Sequence, residues 1–132
     1  MDRSIVISSE LKNIAKVRSF LEEIFKESCL DMIHFDRFFL CLSEVVNNSI
    51  VHGNRLIVEK NVFVRVYNIE NQLFIEVADE GDGFTVDCIK DPTCHENLKK
   101  DNGRGIFLIR QFADEVIYYD GGRKVFIKYN LI

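Results

Sequence analysis

Glu44 and Asn48 stand four residues apart in the segment Glu44-Val45-Val46-Asn47-Asn48-Ser49-Ile50-Val51-His52-Gly53. On a helix that spacing makes them neighbours on one face. A carboxylate beside a carboxamide oxygen suits a hard cation and a proton acceptor. Mg²⁺ takes oxygen ligands and keeps several waters, so Asn48 plus phosphate oxygens would suffice to hold it. Glu44 would then accept a proton from an attacking hydroxyl or water. The alternative is that both are polar residues on a solvated face. A second segment, Asp79-Glu80-Gly81-Asp82-Gly83-Phe84, directly follows a strand pattern. A carboxylate at a strand end can accept a hydrogen bond from an exocyclic amine such as that of adenine. Gly81 and Gly83 lack Cβ, which lets backbone approach a flat ring. The alternative is a plain acidic turn or a calcium-like loop, although Lys90 stands where an EF-hand loop requires glutamate. The third segment is Asn102-Gly103-Arg104-Gly105-Ile106. Glycines that open a helix leave free N–H groups suited to phosphate. No Gly-Lys-Ser/Thr follows, so it is not a Walker loop.

These segments need elements to position them. Residues 5–7 read as a short strand, after which Ser8 or Ser9 can cap a helix with Glu10 in its first turn. Ile14, Val17, Leu21 and Ile24 recur as one face of that helix, which runs to about Glu27. A second helix is expected to start near Asp31 or Asp36. Its buried side is Phe35, Phe38, Phe39, Leu42, Val45, Val46, Ser49 and Ile50, and it is expected to stop at Gly53 in the left-handed position. The period then changes. Val62, Val64 and Val66 alternate with Phe63, Arg65 and Tyr67, and Leu73, Ile75 and Val77 alternate with Phe74, Glu76 and Ala78. These are two strands joined by a polar turn over 68–72. Residues 85–102 show no period, and a stretch that long in a compact domain reads as a lid, a binding loop or a disordered segment. Ile106, Leu108, Ile109 and Phe112 predict a helix, and 115–119 and 124–129 predict two strands around Asp120-Gly121-Gly122. The order β-α-α-β-β-lid-α-β-β predicts an α/β (α+β) two-layer sandwich, with a mixed β-sheet and helices on one face.

Composition narrows the class. The chain has 132 residues, 47% hydrophobic and 29% charged, with one proline and no internal repeat, which predicts a single folded domain over 1–132. A net charge of −4 gives no global field for nucleic acid. No apolar run approaches a membrane span, and the N-terminus has no apolar core or cleavage site of a secretory signal. The expected location is cytoplasmic. Cys29, Cys41, Cys88 and Cys94 form no CxxC pair, so reduced thiols are expected; a metal site at Cys88 and Cys94-His95 is disfavoured.

In this order and spacing the three segments together resemble the asparagine box and two glycine boxes of the Bergerat ATP-binding fold, shared by sensor histidine kinases and DNA gyrase (the GHKL superfamily). Within it, nearly the whole chain is similar to the small anti-sigma factor serine kinases. Glu44-x-x-x-Asn48-x-x-x-His52-Gly53, Asp79-Glu80-Gly81-x-Gly83, Gly103-Arg104-Gly105-Ile106 and Ala113-Asp114-Glu115-Val116 carry the likeness. The resemblance implies ATP and Mg²⁺ as ligands, Asn48 on the metal, Glu44 as catalytic base, Asp79 on the adenine amine and Gly83 under the ring. Gly103, Arg104, Gly105 and Ile106 would hold phosphates under an ATP lid. Arg104 presents a planar fork to phosphate, or else is a solvated arginine at a helix start. His52 reads as a helix-end structural residue. The implied activity is that of an ATP-dependent protein serine/threonine kinase. It sequesters a sigma factor and phosphorylates an anti-anti-sigma partner of STAS type, with no direct nucleic acid and no membrane. The alternative is an ATP-responsive partner-switch module that binds without transferring phosphate. Two departures stand out: few glycines in the second glycine box, and Lys16 where the related kinases use a first-helix arginine for their partner. An upstream phospho-accepting histidine helix, as a histidine kinase needs, has no counterpart. The apolar first-helix face and Phe-rich second helix would support a homodimer.

Overall fold

Strand alternation and helix periodicity converge on one buried layer. The structure, a computed structural model, describes residues 1–81 and 111–132. In chain order its elements are β1 (Asp2–Ser8), α1 (Ile14–Glu27), α2 (Phe35–Asn48), β2 (Asn61–Ile69), β3 (Gln72–Asp79), β4 (Glu115–Tyr119) and β5 (Lys124–Asn130). The described strands form one sheet in the order β1-β2-β3-β5-β4. Among the described residues every pairing is antiparallel, where the sequence led to the expectation of a mixed sheet. The periodicity sets which side chains face inward but is silent on strand direction; the β2–β3 hairpin and the β4–β5 turn fix it. The predicted lid over 85–102 and most of the predicted 106–112 helix lie outside the described residues, though Gln111 and Phe112 are helical.

Ile7, Val62, Val64, Val66, Leu73, Ile75, Val77, Val125 and Ile127 point from the sheet toward the helices and are buried. Val17, Phe20, Leu21, Ile24 and Phe25 of α1 meet them, as do Phe35, Phe38, Cys41, Leu42, Val45 and Val46 of α2. The two helices cover one sheet face, as the two-layer sandwich requires. These apolar helix faces are therefore consumed by the protein's own core. Exposed apolar side chains instead stand on the opposite sheet face, among them Val6, Phe63, Ile117 and Tyr119.

Local signals behave unevenly. Asp31 accepts a hydrogen bond from the Ile33 amide at 3.0 Å, so the first of the two candidate starts opens a short 3-10 turn and α2 proper begins at Phe35. Ser8 and Ser9 do not cap α1. Asn13 reaches back, its Nδ2 donating to the Ser8 carbonyl at 3.0 Å and the Ser8 Oγ at 2.8 Å. Ser8 is the last residue of β1, so its position is set by the ladder rather than by the helix. The β2–β3 turn is tighter than 68–72, with only Glu70 and Asn71 between the strands and Glu70 at φ 53°.

Candidate functional site

The decisive local event is how α2 ends. The helix does not stop cleanly; residues Ser49–Gly53 widen into a π-helical turn, with the Asn54 amide bonded to the Ser49 carbonyl at 2.8 Å. Such turns concentrate at functional sites because they re-aim side chains. Gly53 closes the turn without a positive φ, contrary to the left-handed expectation, and the left-handed residues are Arg55 (φ 54°) and Leu56 (φ 60°). Gly53 is glycine for another reason. A Cβ there would lie 2.3 Å from Oδ2 and 2.9 Å from Oδ1 of Asp79. Gly81 is bound by the same closeness, since its Cβ would meet the Gly53 carbonyl oxygen at 1.8 Å. The two glycines let the end of β3 and the end of α2 press together, so the missing Gly81 Cβ makes room for backbone of its own chain.

Within this junction lie Asn48 and Asp79. Asn48 is 4% exposed and neither its Oδ1 nor its Nδ2 has a hydrogen-bond partner. An unpaired buried amide costs ~1–3 kcal/mol, so its retention needs a reason beyond folding. Asp79 is 9% exposed; its Oδ1 accepts the Gly81 amide at 2.9 Å while Oδ2 has no partner. Burial pushes the Asp79 carboxyl above its ordinary range, and the Gly81 N–H, the Ser49 hydroxyl, Arg123 and Lys60 offset this only in part. Ser49, whose hydroxyl faces Asp79, follows Asn48 in the chain, so the backbone that carries the metal-ligand candidate passes directly beside the adenine-reader candidate. Glu44 lies one helical turn before Asn48 and is half-buried. His52 is half-buried inside the π turn.

The structure thus brings Gly53, Asp79 and Gly81 together, with Asn48 and Glu44 on the helix that runs into this junction. Gly83, Gly103, Arg104, Gly105 and Ile106 lie outside the described residues, as do Cys88, Cys94 and His95. Cys29 and Cys41 are free thiols, and burial pushes Cys41 up to about 12, so it stays protonated in the core. Sequence reasoning missed Asn54, which hydrogen-bonds three separate segments around the site. Its only sequence signal was an amide directly after the helix-ending glycine. Arg123 also escaped notice, because its contribution is a backbone carbonyl accepting the Asp79 amide at 2.9 Å.

A family model described as the histidine kinase-like ATPase domain matches residues 7–129, nearly the whole chain. The chain belongs to this family. A search of curated proteins finds no match. A histidine kinase-like ATPase domain implies ATP binding, and the unpaired polar atoms fit that ligand. The buried Asp79 Oδ2 is an acceptor lacking a donor, and the Asn48 carboxamide offers an oxygen of the hard type that Mg²⁺ takes. The sandwich of five antiparallel strands and two helices is consistent with the same fold. Among the described residues, no helix is long and apolar enough to cross a membrane.

Proposed function

We propose that this ATPase domain is a protein serine/threonine kinase of the anti-sigma type. It binds Mg-ATP, sequesters a sigma factor and phosphorylates a small STAS-type anti-anti-sigma partner in the cytoplasm. The single observation that carries the reading is the fully unpaired, buried Asn48 amide one turn from Glu44 and beside the Asp79 wall. A pure adenine binder needs Asp79 but has no use for a buried metal ligand with a carboxylate next to it. The choice of protein partners rests on the resemblance of the motifs.

In this reading Asp79 accepts the adenine amine through Oδ2 and Asn48 holds Mg²⁺ through Oδ1. When bound, Mg²⁺ would supply charge neutralisation at the phosphates, with Asn48 as the residue that would hold it. Glu44 orients the partner's hydroxyl and takes its proton while the hydroxyl oxygen bonds to the γ-phosphorus. Asp79 is 9% exposed, and a hydrogen bond to the base is stronger at such a buried carboxylate than in water.

Labelled γ-phosphate transfer to partners captured with ATP and with ADP tests the proposal. Glu44→Gln keeps the volume but removes the proton acceptor. It should bind Mg-ATP and partner as the wild type does and transfer phosphate at least ~100-fold more slowly. It should also accumulate the ATP-bound complex with the sigma factor. A variant that transfers at the wild-type rate removes Glu44 from the mechanism. A wild type that transfers to no captured partner leaves the non-transferring partner-switch module as the function.

A further inference from the structure

Asn54 is 0% exposed, follows Gly53 directly, and uses its side chain completely. Its Nδ2 donates to the Ser9 Oγ at 2.8 Å and to the Asn61 carbonyl at 2.9 Å. Its Oδ1 accepts the Glu80 amide at 2.9 Å. Ser9 passes the chain on by donating to the Lys60 carbonyl at 2.6 Å, and the Asn61 amide donates to the Glu80 carboxylate at 2.9 Å. Asn54, Asn61 and Glu80 therefore close a ring around the outer end of β3.

The consequence falls on Asp79. Its own amide is held by the Arg123 carbonyl at 2.9 Å, and the next amide in the chain is held by Asn54. Both peptide groups that flank Asp79 are fixed, one from the neighbouring strand end and one from the end of α2. The residue before Asn54 is the glycine on which the Asp79 carboxylate rests. One side chain thus ties the segment that follows α2 to the end of β3 beside the Asp79 carboxylate. The backbone leaves this point through two successive left-handed residues, Arg55 and Leu56, neither of them glycine. Strain of this kind persists only where the surroundings over-determine the fold, and it clusters at functional sites.

We infer that Asn54 is a positioning residue for base recognition: its bond to the Glu80 amide aims the Asp79 carboxylate at an amino-substituted purine and so sets the preference for adenine. This rests on the reading of Asp79 as the acceptor for the adenine amine. It adds a residue that touches neither base nor phosphate.

The test uses ATP and inosine triphosphate, which carries an oxygen where adenine carries its amine. Affinities for both are measured by calorimetry on the full chain, alongside melting temperatures. The wild type should prefer ATP by at least ~10-fold, the effect of leaving one buried acceptor facing another. Asn54→Ala should lose most of that preference. Ser9→Ala breaks only the far side of the network, so it should lower the melting temperature and keep the preference. Asn54→Asp retains an oxygen opposite the Glu80 amide and should also keep it. The inference is overturned if Asn54→Ala discriminates as the wild type does, or if Ser9→Ala loses as much. Loss of preference in Asn54→Asp overturns it even where Asn54→Ala does not fold. A wild type that binds both nucleotides equally removes the adenine assignment of Asp79 itself.

Discussion

Gly53→Ala separates site geometry from stability more sharply than any other change. The added Cβ would sit 2.3 Å from Asp79 Oδ2 and 2.5 Å from its Cγ. Ordinary carbon–oxygen contact is about 3.4 Å, so the carboxylate must retreat by about 1 Å. It can do so because it is the end of a side chain; Oδ2 gives up no hydrogen bond in moving, although Oδ1 loosens its bond from the Gly81 amide. The cost therefore falls within the ~1–3 kcal/mol typical of such insertions. A displacement of that size is enough to break a hydrogen bond to a base, whose useful range is only a few tenths of an ångström. An unpaired polar group at a buried contact costs ~1–3 kcal/mol, or roughly 5- to 150-fold in affinity. Calorimetry on Gly53→Ala should thus find ATP binding weakened by that factor while the melting temperature stays within a few degrees of wild type. Gly81→Ala is the contrast. Its Cβ would meet the Gly53 carbonyl at 1.8 Å, and backbone cannot step aside, so both stability and binding should fall. Wild-type ATP affinity in a folded Gly53→Ala protein would falsify the assignment of Asp79 as the base-reading group.

Asp79→Asn should weaken ATP binding by a similar factor, and its stability should carry a pH signature. The folded carboxyl lies above its ordinary value of 3.8, so the stabilisation linked to its proton is complete below that value and is lost as pH rises through the folded one. The melting temperature of the ligand-free variant should gain on wild type between acid and neutral pH, and a constant difference across that range would contradict the buried-charge argument. Asn48→Leu replaces an unpaired buried amide by an apolar group of nearly the same shape. Thermal melts without ligand should place it above wild type, while titrations should find no Mg²⁺-dependent tightening of ATP; retained Mg²⁺ dependence would move the metal ligand elsewhere.

The helices and strands were legible because burial imposes a period on the chain. Val62, Val64 and Val66, or Val17, Leu21 and Ile24, have to face one way, and the core residues came through with few changes. Cys41 entered the core and Phe39 stayed at its margin, a shift of partners on the same helix face. Strand direction carries no such period, which is why the described strands pair antiparallel where a mixed sheet was expected. Caps were only half legible: Asp31 accepts from its own following turn, whereas α1 starts at Asn13 without a side-chain cap, Asn13 donating back to Ser8, which β1 holds in place.

For the site, the sequence by itself determined which side chains are the candidates. Glu44 and Asn48 share a helix face by spacing alone, and Asp79 stands at a strand end because the alternation stops there. What only the tertiary structure decided is that the end of α2 and the end of β3 press together, and what lets them do so. Gly53 and Gly81 looked like a helix stop and a ring contact, yet each is bare so that two chain ends from different layers can touch. Asn54 looked like loop. Its three side-chain bonds reach residues 45, 7 and 26 positions away, and contacts at such separations leave no pattern in a single sequence, because they are set by how the layers stack rather than by local backbone geometry.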